Sequence, residues 1–158
     1  MQVYTIGVYN STEQGFFDKL VENKIDVFCD IRQRRCVRGN KYSFVNSKYL
    51  QSKLQSLDIK YIHILDLAPT SEIREKQKEE DARLGVQKKS RDKLGVIFTR
   101  EYKNKIKSFD FDDFYEQIDS LGASRIVFFC VEEKPLACHR SIVAQEMNER
   151  FKSEVIHL

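Results

Sequence analysis

Arg125-Ile126-Val127-Phe128-Phe129-Cys130-Val131 runs directly into Glu132-Glu133-Lys134-Pro135-Leu136-Ala137-Cys138-His139-Arg140, and this junction decides the reading of the chain. Its first half is the strongest strand signal in the sequence, β-branched and aromatic without a turn former. Pro135 fits an early helical position, where its missing N–H costs nothing. A helix is expected from about Leu136 to Phe151, with Val143, Met147 and Phe151 on one face. The free N–H groups of such a helix start, with the helix dipole, favour an anion. One strand, one loop and one helix thus place a set of ionisable residues at a strand end.

Outward from this junction the same alternation recurs. Val3–Ile6 reads as a strand ending at Gly7, and Ser11 or Thr12 caps a helix through Asn23 on Phe16, Phe17, Leu20 and Val21. Ile25–Ile31 is a second strand. Asn46 or Ser47 opens a helix carrying Leu50, Leu54 and Leu57, and Ile59–Leu65 is a third strand. Phe111, Phe114, Ile118 and Leu121 line a helix ending near Gly122, and Val155–Leu158 is a last short strand. Strand and helix in alternation imply parallel strands joined by crossover helices. The expected fold is a single three-layer α/β domain over residues 1–158, with a mainly parallel sheet of about five strands.

Residues 70–107 interrupt the rhythm. Between Ser71 and Lys107 twelve basic residues stand against seven acidic ones, and the apolar residues are too few for a normal helical stripe. The segment is expected to be a charged insertion over the surface, either mobile or ordered through one or two surface helices, with Lys88 and Lys89 exposed on a flexible arm. A second basic group, Arg32, Arg34, Arg35, Arg38 and Lys41, follows Asp30. Clustered cations attract phosphates without identifying the ligand.

Composition bounds the rest. The 158 residues are 41% hydrophobic and 32% charged, with a net charge of +3, which excludes collagen, disulfide-rich miniprotein and wholly disordered classes. No apolar run reaches membrane-spanning length and the N-terminus does not resemble a signal peptide, so a cytoplasmic protein with no membrane partner is expected. Cys29, Cys36, Cys130 and Cys138 are expected to be reduced. Cys130, Cys138 and His139 are suitable zinc ligand types, but their spacing matches no finger or ribbon; neither metal nor cofactor is expected. Dinucleotide, P-loop and nucleophile-elbow motifs are missing.

In open parallel sheets, ligands bind beyond the strand C-termini. Asp30 and Arg32, alternating at one strand end, are expected to point to the same side and to converge with Glu132, His139 and Arg140 on one cleft. A buried Asp–Arg lock between strand ends is the competing reading. His63 and His157 are read as structural or exposed.

At these positions the chain resembles the family called domain of unknown function 488. The resemblance rests on Met1–Gly7, Asp30-Ile31-Arg32, Tyr42–Asn46, Leu50 with Leu54, Ile59-Lys60-Tyr61, and above all Cys130…Glu132…Pro135…Cys138-His139-Arg140. It spans nearly the whole chain and implies a prokaryotic α/β domain of unsettled activity. It implicates Asp30, Arg32, Phe44, Asn46, Tyr61, Glu132, Cys138, His139 and Arg140, with Tyr102 the candidate match to a tyrosine after the variable middle. Gln33–Cys36 stands where the family often has a proline, and Leu65–Ala68 where it often has a Leu-Gly-Gly type turn.

Two functions are expected in competition. The first is a small enzyme or enzyme-like pocket for a phosphate-bearing ligand, a nucleotide or nucleic-acid component. Arg32 and Arg140 would hold the anion, Glu132 or His139 would move a proton, and Asp30 would orient an arginine or a ligand hydroxyl. Phe44, Asn46 and Tyr61 would line the pocket. Cys138 is either a nucleophile or a packing residue continuing into the helix. The alternative is a non-catalytic nucleic-acid-binding module using the basic loop and the insertion, with Tyr42, Phe44 and Tyr49 stacking bases or else filling the core.

Overall fold

Strand β4 (Arg125–Phe129) lies at the centre of a five-stranded sheet, between β1 (Gln2–Ile6) and β2 (Val27–Asp30). In the computed structural model, which describes residues 1–158, β3 (Lys60–His63) flanks β2 and β5 (Glu154–His157) flanks β1. The order is β3-β2-β4-β1-β5 and every pairing is parallel, with Ile6 opposite Phe129 and Asp30 opposite Phe129 on the other side. Ile126 to Phe129 and all of β2 are buried, while β3 and β5 keep partly open edges. That gradient is expected of a parallel sheet covered on both faces.

Alternation along the strands divides the core in two. Tyr4, Ile6, Phe28, Val127 and Phe129 face α1 (Glu13–Glu22) and α2 (Ser47–Ser56), meeting Phe16, Phe17, Leu20, Leu50 and Leu54. Val3, Val27, Cys29, Ile126 and Phe128 face the opposite layer, α3 (Ser71–Leu84), α4 (Val96–Ile106), α5 (Phe111–Ser120) and α6 (His139–Phe151). The three-layer α/β domain with a five-stranded parallel sheet is therefore present. No helix is long and apolar enough to cross a membrane.

Several boundaries differ from the sequence reading. Thr12, rather than Ser11, caps α1 by accepting from Gly15 N at 3.0 Å. The third strand ends at His63, because Ile64 leaves the ladder and Leu65–Leu67 forms a 3-10 turn. The expected helix from Leu136 is split. Pro135–Ala137 is a 3-10 turn, Cys138 is extended (φ −138°, ψ 144°), and α6 begins only at His139. Cys138 thus caps the helix rather than continuing into it.

The charged segment contains two helices that belong to the core. Phe98, Tyr102 and Ile106 recur every four residues along α4 and are buried with Ile73 of α3. These four side chains correct the expectation that the apolar residues were too few for a stripe. The Tyr102 hydroxyl donates to Leu67 O at 2.5 Å. The more polar α3 is held differently, since Gln77 Nε2 donates to Asp81 Oδ1 at 2.7 Å and Gly95 N to Gln77 Oε1 at 2.8 Å. Buried polar groups satisfied in this way stand in for an apolar stripe.

Phe98 is the test of that integration. Phe98→Ala is expected to cost about 3–5 kcal/mol, the usual range for a buried phenyl ring. Urea unfolding of the two proteins checks it, and a loss below roughly 1 kcal/mol, as for a surface site, would contradict the packing.

Candidate functional site at the strand ends

The C-terminal edge of the sheet is built on one close backbone approach. A Cβ on Gly7 would lie 1.9 Å from Glu132 O, so no larger residue fits where β1 leaves the sheet without moving the β4–α6 loop. Val8 N and Tyr9 N both donate to Val131 O, at 3.2 and 3.0 Å. Arg140, fully buried, clamps the same loop by donating from Nη1 to Glu132 O at 2.5 Å and from Nη2 to Glu133 O at 2.8 Å. Its guanidinium is turned into the loop.

At the end of β2, Asp30 is fully buried and accepts four hydrogen bonds. They come from Arg32 N (3.1 Å), Arg32 Nε (2.9 Å), Arg32 Nη2 (2.7 Å) and the Tyr61 hydroxyl (2.8 Å). Arg32 Nη2 also donates to Val45 O, and the guanidinium lies 4.6 Å over the Phe129 ring. Burial, then the charge of Asp30, pushes the Tyr61 hydroxyl up to about 12 against the opposing pull of Arg35. Asp30 and Arg32 do point to the same side and pair with one another there, with Arg32 Nη1 left buried and unpartnered.

A second group is made of sulfur and imidazole. The ligand atoms of Cys130, Cys138 and His139 all lie within 4.8 Å of one another, and all three residues are buried. His139 Nε2 is 3.1 Å from Ile31 O and Nδ1 is 3.8 Å from Cys138 Sγ. Burial pushes the Cys138 thiol up, but the hydrogen bond from Cys130 and the neighbouring His139 and Arg140 outweigh it and hold it well below the usual thiol range. The Cys130 thiol is pushed up, first by that hydrogen bond and then by burial. This trio has the donor types of a metal site.

Glu132 anchors the third group. Its buried carboxylate Oε1 lies 3.4 Å from Lys88 Nζ and 3.7 Å from Arg91 Nη2. Burial outweighs both cations and pushes the carboxyl up to about 7. Arg91 is held at 2.7 Å by Asp81 and at 2.9 Å by Ala137 O. Arg91 was not among the residues singled out from sequence, and Lys88 was read only as an exposed residue of the basic arm, without its tie to Glu132. No local signal marks them, because their partner is more than 40 residues away in the chain.

Lys89 lies 5.4 Å over the Tyr9 ring, Tyr9 is 5.3 Å from Tyr42, and Lys41 is 5.3 Å over Tyr42. The two basic segments therefore meet on one aromatic pair beside Glu132; Lys88 and Lys89 are exposed, as expected, and each has a partner there. Phe44 packs among Phe16, Phe17 and Tyr42, inside the core. Asn46 accepts from Val37 N at 2.8 Å and shapes the basic loop. Tyr49 sits on the surface, donating to Glu13. His63 meets Arg32 O at 2.9 Å, and His157 meets the Thr5 hydroxyl at 2.7 Å. A groove of about 500 Å³ at the β3 edge, lined by His63, Asp66, Lys105, Asp110 and Asp113 among others, includes none of the candidate residues.

Comparison with known proteins returns a family model, domain of unknown function DUF488, matching residues 12–147. No curated protein and no solved structure matches.

The Glu132 carboxyl has a measurable signature. Its folded pKa of about 7 lies above the ordinary 4.5, so the stability it contributes is complete below 4.5 and is lost as the pH rises through 7. Relative to Glu132→Gln, the wild-type protein should lose on the order of 3 kcal/mol between roughly pH 4 and pH 8. Urea unfolding across that range in EDTA-containing buffer measures it. A constant difference between the two proteins would mean that Glu132 titrates normally.

Proposed function

Because the chain belongs to the DUF488 family, whose description assigns no activity, we propose its function from the strand ends themselves: binding of a phosphate-bearing ligand, a nucleotide or nucleic-acid component, at the Tyr9–Tyr42 pair. The observation that carries the reading is the convergence of Lys41, Lys88 and Lys89 on those two rings and on Glu132. Three cations from segments far apart in the chain supply charge for a phosphate. The half-buried Tyr9 ring offers a stacking face for a base.

Roles shift accordingly from those expected of the arginines. Arg32 and Arg140 act as positioning residues, since both guanidinium groups are turned to protein acceptors. The anion is held by the lysines, and Glu132, next to Lys88, is the group suited to carry a proton. Asp30 and Tyr61 fix the wall of the site through Arg32. A nucleic-acid module remains the second reading, favoured by the same meeting of basic loop and insertion.

Affinity measurements separate the two. Mononucleotides, inorganic phosphate, and short single- and double-stranded oligonucleotides are titrated at two salt concentrations against wild type, Lys88→Ala/Lys89→Ala and a Lys103→Ala/Lys107→Ala control at two exposed lysines, one on α4 and one directly after it. The first double variant should lose about tenfold or more in mononucleotide affinity, the effect of one charge-assisted contact of ~1.5 kcal/mol. The control should bind as wild type. Oligonucleotide affinity that grows with length, with no mononucleotide binding and a shallower salt slope in the first variant, would transfer the function to the nucleic-acid reading. No binding of any of these ligands by wild type would overturn both.

A further inference from the structure

The Cys130–Cys138–His139 cluster takes no part in that reading; its two thiols lie in the core on the α1–α2 side and its imidazole meets Tyr102 edge-on. Cys130 directly follows β4, Cys138 is the extended residue capping α6, and His139 is the first residue of that helix. Bringing two thiols and an imidazole within 4.8 Å requires the 3-10 turn at Pro135–Ala137, which folds the loop back so that both ends meet. We propose that Cys130, Cys138 and His139 bind a thiophilic metal ion of the Zn²⁺ class.

Four observations support this site. Two sulfurs and one imidazole nitrogen form the donor set that zinc and similar borderline-soft ions prefer. Ile31 O at 3.1 Å can only accept, so the neutral form of His139 carries its proton on Nε2. In that form Nδ1 is the free ligand atom, 3.8 Å from Cys138 Sγ. A histidine whose far nitrogen donates to a backbone carbonyl is the common arrangement behind a metal ligand.

Charge and rigidity supply the others. Arg140 is fully buried and pairs with no carboxylate; its partners are two carbonyl oxygens, and its Nε has none. The positive charge is thus left without an anionic partner in the loop that carries the ligands. The loop that carries the ligands is pinned at three points, by Arg140 to Glu132 O and Glu133 O and by Arg91 to Ala137 O. Metal binding would release thiol protons to solvent. Three protein donors leave one tetrahedral position for an exogenous ligand.

The adjacent order Cys138-His139 is unusual for two ligands of one ion. Here the break between the 3-10 turn and α6 makes it possible, since Cys138 is extended while His139 is helical. A continuous helix would have separated the two side chains by about 100° around its axis.

The test uses the full chain carrying Cys36→Ser, which removes the exposed thiol as a chance ligand. Reduced, metal-stripped protein is titrated with Co²⁺ and followed by the sulfur-to-cobalt charge-transfer band, and Zn²⁺ is then added in competition. One equivalent of Co²⁺ with thiolate bands, displaced by Zn²⁺, is expected, together with protection of Cys130 and Cys138 from alkylation. Cys138→Ser should lose the charge-transfer intensity, whereas Cys29→Ser should keep it. Should Cys138→Ser fail to fold, the titration and alkylation pattern of the Cys36→Ser protein decide alone. Absence of the bands, or alkylation of both thiols unchanged by metal, overturns the site. So does a Cys130–Cys138 disulfide forming in air at the same rate with and without Zn²⁺. Failure of nucleotide binding leaves this result untouched, because none of the three ligands belongs to the lysine–tyrosine surface.

Discussion

The strand-end architecture depends on Arg140. A guanidinium at zero exposure is expensive to bury, and here the cost is offset by two charge-assisted hydrogen bonds to carbonyls that no helix or strand satisfies. Those two bonds set the height of the β4–α6 loop above the sheet. Gly7 completes the constraint from the other side, because only a residue without Cβ lets the end of β1 pass under Glu132 O. With the loop held between Arg140 and Gly7, the positions of Cys130, Glu132 and Cys138 follow from covalent geometry.

Hydrogen-bond saturation separates the structural ionisable groups from those left with chemistry to do. Asp30 receives four bonds and returns all its capacity to Arg32 and Tyr61, which locks β2 to β3 and to the 3-10 turn at Ser43–Val45. Glu132 is equally hidden, yet its nearest cations stand at 3.4 and 3.7 Å, too far for full compensation of burial. Two carboxylates at neighbouring strand ends thus take different characters. The first is a lock and the second is poised near neutrality.

What was legible in the sequence was the local period of the strands and of the helices outside the charged segment. Val127 and Phe129 against Ile126 and Phe128 announce a strand buried on both faces, and Phe111, Phe114 and Ile118 announce an amphipathic helix. The resemblance carried by Cys130…Cys138-His139-Arg140 extends to a family match over residues 12–147. Long-range polar geometry was not legible. Nothing near Arg140 in sequence indicates that its partners are carbonyls seven and eight residues back. Nothing near Lys88 points to Glu132. The break at Cys138 was hidden because Pro135 starts a 3-10 turn as readily as an α-helix.

The charged segment was the hardest to place, because its two halves obey different rules. Helix α4 uses Phe98, Tyr102 and Ile106 to bind the sheet layer, whereas α3 contributes one core residue, Ile73, and a buried Gln77–Asp81 pair. That pair receives Gly95 and Arg91 from the connection between the helices, and the connection in turn reaches the β4–α6 loop. Leu94 N donates to Leu136 O at 2.9 Å, Arg91 to Ala137 O, and Lys134 to Asp92. The segment is therefore fastened at one end to the core and at the other to the loop that carries Glu132 and Cys138. Its high charge density serves both attachments: outward charges stay hydrated, and the few turned inward meet partners that an apolar side chain could not satisfy.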